Sequence, residues 1–246
     1  MNQKLRSSHF KLINCVIVSL FLAQAGFSQV QAPAPAREFV RKGTLLMSRN
    51  KVDEAIDSYT RAIDLSPNYA EAYVNRGIAR RSKGDLAGSI EDYEKAASIN
   101  PKSIAGNRFV AQAYSNRGYI KFNALNVDDA IKDFTIAINV DPNGYDHYYK
   151  RGLARLVNEE LVQALEDLDK SISLTDPKWS RPVLTYATRG MVKLLQGKKD
   201  DAQKDFEQSL KMNENQNFDL DGYLRSLEIQ IMLRKQLRAK EQKSIA

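Results

Sequence analysis

Apolar residues recur along most of the chain with the spacing of amphipathic helices. Between residues 52 and 63 the apolar positions include Val52, Ala55, Ile56, Tyr59 and Ile63. These positions fall on one face of a 3.6-residue period, which is typical of a helix with one buried side. A proline follows four residues later and ends the pattern, because proline cannot continue a helix interior. The pattern predicts a helix over 53–65, preceded by another over about 37–49.

The same pattern occurs five times, each time in register with a glycine. The glycines are Gly43, Gly77, Gly118, Gly152 and Gly190, and their separations are 34, 41, 34 and 38 residues. An aromatic residue lies four positions before each glycine. A small residue lies twelve positions after it, a large apolar one sixteen after and another small one nineteen after. A period in this range predicts an array of stacked helix pairs.

The order of aromatic, glycine, small, large apolar and small residues, with a proline closing the first three units, resembles the tetratricopeptide repeat. The resemblance covers about residues 36–216 and implies an all-α fold, a right-handed alpha-alpha superhelix (TPR solenoid). Each unit would contain a helix A, a turn and a helix B, with its glycine at position 8. The repeat domain, 37–216, then divides into units at 36–69, 70–103, 111–144, 145–178 and 183–216.

Three segments depart from this regular array. Extra residues at 104–110 and 179–182 precede units 3 and 5, and we expect them to extend the A helices there. They place Phe109 and Trp179 beside those helices. Residues 217–246 form a further amphipathic segment with a basic tail. We predict that it is a capping helix on the exposed end of unit 5, with a solvated tail.

Arginine precedes the glycine in units 2 to 5, where the family usually has leucine at position 7. In the same units, position 23 of helix B is aspartate. Unit 1 changes both positions together, to Lys42 and Ser58. We predict that each arginine pairs with the aspartate of its own unit, because a bidentate pair would fix the angle between the two helices.

The first 28 residues have the pattern of an export signal. A basic start is followed by an apolar run at 12–27 that ends in small residues. We therefore expect a signal peptide at 1–28, an Ala/Pro linker at 29–36, and a periplasmic or secreted protein. The alternative is a membrane anchor formed by residues 12–27. The only cysteine, Cys15, would be removed with the signal, which excludes disulfides and thiol chemistry from the mature chain.

The net charge of the whole chain is +7, and three of these charges precede residue 29, so the mature chain would carry +4. This charge is too weak to indicate nucleic-acid binding. The only histidine outside the signal is His147, which we expect at the exposed start of a helix. The sequence predicts no catalytic residue, no metal site, no cofactor and no small-molecule substrate.

In the resembled family the A helices line a concave face that binds protein partners. Positions 2, 5, 6, 9, 12 and 13 point into that face, which here is cationic at its N-terminal end and apolar at its C-terminal end. The resemblance selects as partner-binding candidates Arg41, Val74, Asn75, Ile78, Arg81, Asn116, Tyr119, Phe122, Tyr149, Lys150 and Leu153. Of the pattern that binds chaperone C-termini, only Asn75 is present, so we reject that partner.

The apolar C-terminal end of the concave face has three alternative coverings: the C-terminal helix, a second copy of the chain, or a partner's helix. The predicted function is an exported, non-catalytic scaffold that binds a protein or peptide segment. The alternatives are a self-associating structural subunit, and an accessory subunit of an envelope enzyme complex.

Overall fold

The computed structural model describes residues 32–176, 182–213 and 218–245. In these ranges the chain forms α-helices, one 3-10 turn (Pro101–Ser103) and no β-strand. The helices are α1 (Ala34–Ser48), α2 (Val52–Leu65), α3 (Ala70–Ser82), α4 (Leu86–Ile99), α5 (Arg108–Asn123), α6 (Val127–Val140), α7 (Tyr145–Val157), α8 (Leu161–Leu174), α9 (Val183–Leu195), α10 (Lys199–Met212) and α11 (Leu220–Ile245). The predicted all-α class is confirmed.

Helices α1 to α10 form five consecutive pairs that stack into a solenoid. Each odd-numbered helix is the A helix of a unit and packs on the B helix that follows it, and each B helix packs on the next A helix. The predicted linker at 29–36 is too long, because α1 already begins at Ala34. Prolines 33 and 35 do not prevent this start, since the first turn of a helix has backbone N–H groups without helical partners.

The glycine of each unit allows its two helices to approach closely. A Cβ atom on Gly43 would lie 2.5 Å from Cε1 of Tyr59, and one on Gly77 would lie 2.5 Å from Cε1 of Tyr93. Real Cβ atoms do not approach other atoms this closely. The large residue at position 24 therefore packs directly over the glycine at position 8, which explains why these two features repeat together.

The predicted arginine–aspartate pairs are confirmed in all four units. In each, the Nη2 and Nε atoms of the arginine donate to the two carboxylate oxygens of a buried aspartate, so the pair is bidentate. The Nη2–Oδ1 distances are 2.7 Å for Arg76–Asp92, 2.8 Å for Arg117–Asp133, 2.7 Å for Arg151–Asp167 and 2.6 Å for Arg189–Asp205. Each pair joins helix A to helix B within its unit.

Each pair belongs to a larger cluster that joins three helices. A second cation, at position 11 of helix A, contacts the same aspartate at 2.7–3.1 Å: Arg80, Lys121, Arg155 and Lys193. The Nη1 atom of the position-7 arginine donates to position 25 of the preceding B helix, which is Thr60, Glu94, Thr135 and Asp169 in turn. The clusters therefore fix the packing between successive units as well as within each unit.

The first insertion lengthens α5 at its N-terminus, as predicted. The side chain of Asn107 accepts hydrogen bonds from the backbone N–H groups of Phe109 and Val110, at 3.0 and 3.3 Å, and so fixes the helix start at Arg108. Gly106 donates to the Val140 carbonyl at 2.7 Å and holds the insertion against α6. Residues 177–181, which include Trp179, lie outside the described residues.

The buried apolar side chains of the described residues form two clusters that meet in unit 3. The first extends from Val40 through units 1 and 2 to Tyr114, Ala137 and Val140 in unit 3. The second begins at Phe122 and continues through units 4 and 5 to Leu227 and Ile231 of α11. The C-terminal helix is thus part of the second core.

Candidate protein-binding groove

The five A helices lie side by side and form one face of the solenoid, which we call the concave groove. Neighbouring A helices contact each other along the series α1, α3, α5, α7 and α9. This arrangement agrees with the expectation that A helices line a common surface. The groove differs between its N-terminal half, formed by α1, α3 and α5, and its C-terminal half, formed by α7 and α9.

The first part of the groove is an open depression of about 510 Å³ between α1 and the start of α3. Val40 forms its floor, and Arg41 lies at its edge, where it pairs with Glu38 at 2.8 Å. The Tyr69 hydroxyl donates to Glu71 at 3.0 Å. Desolvation, together with this bond to Glu71, raises the pKa of Tyr69 to about 12, so its hydroxyl stays protonated.

A second depression, of about 480 Å³, lies where the first insertion meets α3. Ile78 and the half-exposed ring of Phe109 line it, and the guanidinium of Arg81 lies 5.1 Å from the centre of that ring. A cation above an aromatic face is a favourable contact that keeps both groups in place. The insertion therefore adds an aromatic surface to the groove.

The middle of the groove contains the exposed ring of Tyr119. Its ring is stacked near that of Phe122, with 6.4 Å between centroids, and the Lys150 ammonium lies 5.9 Å from the Tyr119 centroid. Lys150 also pairs with Asp146 at 2.7 Å. On the same helix as Tyr119, the Asn116 side chain accepts a hydrogen bond from Gln112 at 2.8 Å. Amide, ammonium and aromatic groups are thus all partly accessible here.

The C-terminal half of the groove is occupied by α11. This helix packs on α7 and α9, the A helices of units 4 and 5. The prediction that it caps the exposed end of unit 5 is therefore wrong in its location. Of the three coverings considered for the apolar end, the structure shows the first for part of it: the C-terminal helix packs over Leu153 and Met191, whereas Leu184, Leu194 and Leu195 remain exposed.

Three of the predicted partner-binding residues are buried and correct the sequence-based assignment. Val74, Phe122 and Leu153 are only 6%, 4% and 7% exposed. Phe122 and Leu153 belong to the same apolar cluster as Leu227 and Ile231 of α11. These residues form the floor of the groove rather than a surface that a partner can contact.

Polar contacts hold α11 near its start and in its second half. Near its start, the Tyr223 hydroxyl lies 2.7 Å from the Thr188 hydroxyl and 3.2 Å from that of Tyr149. Burial raises the pKa of Tyr149 well above its usual value and also raises that of Tyr223. Both phenols therefore remain protonated and able to donate.

In the second half of α11, basic side chains contact the A–B turns of units 3 and 4. Arg234, which is buried, donates to Asp128 and Asn158, and Lys235 pairs with Glu159 at 2.8 Å. Arg238 donates to the Asn158 carbonyl at 3.2 Å. We call these six residues the α11 ion-pair cluster. The prediction of a solvated basic tail is thus corrected for its first part.

Family models of the tetratricopeptide (TPR) repeat match residues 43–83, 70–103, 116–178 and 184–216. The chain belongs to the tetratricopeptide repeat family. Mouse Tetratricopeptide repeat protein 36 is 46% identical over 46 residues, which are 19% of this chain and 25% of that protein. A DnaJ homolog subfamily C member 7 homolog of Dictyostelium discoideum is 31% identical over 65 residues, 26% of this chain and 12% of that protein. This TPR chain thus spans a quarter or less of the length of these curated relatives.

Solved TPR structures resemble the whole array. YrrB, described as a TPR protein with an unusual peptide-binding site, gives a TM-score of 0.56 at 15% identity, covering 87% of this chain and 97% of that one. MamA gives a TM-score of 0.54 at 23% identity, covering 75% and 97%. At these identities the likeness shows the TPR fold.

His147 and the acidic residues at B-helix starts are among the side chains of the TPR array that could take part in chemistry. His147 is buried, not exposed as predicted, and burial lowers the pKa of its ring. Within residues 32–176, 182–213 and 218–245, no group of three metal-ligating side chains comes together, and no helix has the length and apolar character needed to cross a membrane. Among the acidic residues at B-helix starts, Asp129 and Asp201 make local ion pairs with Lys132 and Lys204, at 2.7 and 3.0 Å. Asp128, in contrast, contacts Arg234 of α11.

The sequence-based assignment missed two parts of the groove. Tyr69 was overlooked because it precedes helix A, outside the positions that the TPR resemblance assigns to the concave face. Tyr223 was overlooked as a groove residue because its segment has no TPR register. The only signal for Tyr223 was the exposed apolar patch on units 4 and 5, which required a cover.

Proposed function

We propose that this protein is an exported, non-catalytic scaffold that binds a protein or peptide segment on the N-terminal half of its concave groove. The observation that carries this proposal is the contrast between the two halves. In the C-terminal half, α11 covers the apolar floor. In the N-terminal half, the rings of Phe109 and Tyr119 on α5 remain accessible, with Arg81 of α3 and Lys150 of the adjoining α7 beside them.

The accessible groups favour a segment that carries both apolar and acidic side chains. Phe109 and Tyr119 are 52% and 46% exposed, and each has a cation close to its ring. The rings provide contact area, and the cations attract carboxylates. The amides of Asn75 and Asn116, both half-buried, can donate to and accept from a peptide backbone.

A non-catalytic role is supported by the side chains of the groove. Its hydroxyl groups include those of Thr44 and Ser48, which donate to backbone carbonyls, and the one described histidine is buried. The Tyr69 hydroxyl contacts Glu71, but its pKa is raised to about 12, so it is not an activated nucleophile. Export is supported by the pattern of residues 1–28 alone, and N-terminal sequencing of the protein from an envelope fraction would test it.

Site-specific photocrosslinking tests the binding proposal. A photoreactive residue replacing Tyr119 should yield a defined adduct, whereas one replacing Val162, which is 64% exposed on the B helix α8, should not. An excess of the unlabelled partner segment, identified by mass spectrometry, should abolish the Tyr119 adduct. Equal adducts at both positions, or none at Tyr119, would contradict the use of the groove.

A self-associating structural subunit remains a second candidate because apolar side chains are exposed around the C-terminal half. Leu184 and Leu194 are both 40% exposed, and Leu195 is 46% exposed. Sedimentation equilibrium distinguishes the two functions. A monomer at tens of micromolar favours the scaffold, and a concentration-dependent dimer favours self-association.

A further inference from the structure

We infer that the C-terminal half of the concave groove is a helix-binding site for a basic amphipathic helix, which α11 occupies until a partner helix of the same chemistry displaces it. The inference rests on the proposed use of the concave groove for binding. It adds a second site, with a different kind of ligand, to the open N-terminal half.

The position of α11 is the first argument. It packs on α7 and α9, the two A helices whose inward positions the family uses for partners. Tyr149 at position 5 and Thr188 at position 6 both contact the Tyr223 hydroxyl. The helix therefore contacts the groove through ligand positions and not through the exposed end of unit 5.

The nature of the contacts is the second argument. In the described part of α11, Leu227 and Ile231 are buried, at 2% and 8% exposure, and Tyr223 and Leu224 pack against the same apolar cluster while partly exposed. The other anchors are polar: the Tyr223 hydroxyl near the start of the helix and the α11 ion-pair cluster in its second half. Water can satisfy these polar groups when the helix leaves, so its release costs less than that of a helix held by a continuous apolar face.

The charges define the ligand. The rim of this half of the groove carries Asp128, Glu159 and Glu160 at the A–B turns of units 3 and 4. These carboxylates complement a positively charged helix end and disfavour an acidic one. The open half of the groove has the opposite preference, since its accessible rings lie beside Arg81 and Lys150.

The side chains of α11 therefore give the pattern expected of a partner helix. It has an aromatic hydroxyl, a leucine four residues later, an isoleucine four further on and an arginine after three more, as at positions 223, 227, 231 and 234. These spacings place all four on one face of a helix. A partner with this pattern can replace α11 contact by contact.

A competition experiment with the full-length protein tests the inference. The probe is a fluorescent peptide of residues 219–243, and its binding is followed by anisotropy. Arg234→Ala weakens the hold on α11 but leaves the groove intact. Because apparent affinity scales with the fraction of open grooves, the probe should bind R234A about tenfold more tightly than the wild-type protein. Amide exchange in α11 should also become faster in R234A.

Two matched variants separate groove opening from general destabilisation. Asp128→Asn also releases α11, but it removes the site for the probe's arginine, so it should gain far less probe binding than R234A. Lys235→Glu should open the groove, and the reversed pair E159K/K235E should close it again. A scrambled probe of equal charge should bind none of these proteins better than wild type.

Several results would overturn the inference. R234A and D128N could gain equal probe binding, or α11 amides could exchange no faster in R234A than in wild type. Dimerisation of R234A without probe would show that a second copy, not a partner helix, fills the groove. Binding of the probe to closed wild-type protein with no gain in R234A would place it on the outer face of α11, where Ile229 and Met232 are exposed. Failure of the Tyr119 crosslink would leave all these readouts unchanged, so the two proposals fail independently.

Discussion

At the scale of single residues, position 15 of each unit has a left-handed backbone. The φ values are 58° at Asn50, 90° at Gly84, 61° at Leu125, 62° at Glu159 and 79° at Gly197. This conformation turns the chain from helix A to helix B, and glycine adopts it without steric cost. In Leu125 and Glu159 this conformation is sterically strained, and the packing of the surrounding helix pair holds the backbone in it. Glu159 also pairs with Lys235, whereas no such contact accounts for Leu125.

Leu125→Gly should therefore stabilise the protein. Removing the Cβ relieves the left-handed strain, while the greater freedom of glycine in the unfolded chain offsets part of the gain. The expected increase in the free energy of unfolding is about 0.5–1 kcal/mol, measured by urea denaturation followed by circular dichroism. Leu125→Ala keeps the Cβ and is the control. An equal gain in both variants would contradict the explanation by backbone strain.

His147 should make stability depend on pH. Its ring is buried, its Nδ1 atom has no hydrogen-bond partner in the structure, and burial lowers its pKa below the usual 6.5. The unfolded chain therefore binds a proton at a higher pH than the folded chain does. This contribution to stability is complete above about pH 6.5 and is lost as the pH falls below it.

His147→Ala tests this effect, since units 2 and 3 have Ala72 and Ala113 at the same position. The variant should show a flatter dependence of the free energy of unfolding on pH between about 6.5 and 5 than the wild-type protein. The measurement is the urea midpoint at several pH values. An unchanged slope would assign the acid sensitivity to other groups.

At the scale of helices, each position-23 aspartate joins the two helices of its unit and the preceding B helix through one cluster of charges. Asp167 accepts hydrogen bonds from Arg151 and Arg155, and Arg151 also donates one to Thr135 on α6. Asp167→Asn leaves two guanidinium groups beside a neutral amide. Removing one member of a buried ion pair leaves its partners with an uncompensated charge. The free energy of unfolding should therefore fall by about 3 kcal/mol.

Thermal and urea denaturation would measure this loss, with Glu166→Gln as the matched control. Glu166 is the neighbouring residue but is exposed, so its neutralisation should change stability by less than about 0.5 kcal/mol. Similar losses in D167N and E166Q would show that the cluster contributes no more than an exposed surface charge.

The sequence predicted these clusters in part because their spacing repeats. Arg76 and Asp92 are 16 residues apart, and the same separation returns in units 3 to 5. The second cation at position 11 follows the same period: Leu46 replaces it in unit 1, where the aspartate is absent too. Because the arginine and the aspartate recur together, their contact between helices A and B could be predicted from the sequence.

The position of α11 could not be predicted in the same way. Its apolar face, with Leu227 and Ile231, suits either the end of unit 5 or the groove, so periodicity leaves both open. The contacts that decide between them occur once, between residues far apart in the chain. Tyr223 and Tyr149 are 74 residues apart, and Arg234 and Asp128 are 106 apart. A pattern that repeats within the chain contains no information on such pairs.

At the scale of the whole molecule, the division of the core into two clusters corresponds to the division of the groove. The first cluster supports the open half and the second supports the half that contains α11. The boundary lies within unit 3, because α5 contributes Tyr114 to the first cluster and Phe122 to the second. Since repeat arrays are held by contacts between neighbouring units, a division of the core at this place allows the two parts to differ in stability.

Two cavity-forming variants should therefore affect different parts of the chain. Tyr93→Ala removes a fully buried ring from the first cluster, and Leu168→Ala removes a fully buried side chain from the second. Each substitution should lower the free energy of unfolding of its part of the array by about 3–5 kcal/mol. Hydrogen exchange followed by mass spectrometry should show faster exchange mainly in α1 to α4 for Y93A and mainly in α7 to α9 for L168A. Exchange that rises equally across all helices in both variants would mean that the array unfolds as one cooperative unit. Partner-induced release of α11 would then loosen the open half of the groove as well, whereas separate responses would allow α11 to leave while the N-terminal half stays folded and bound.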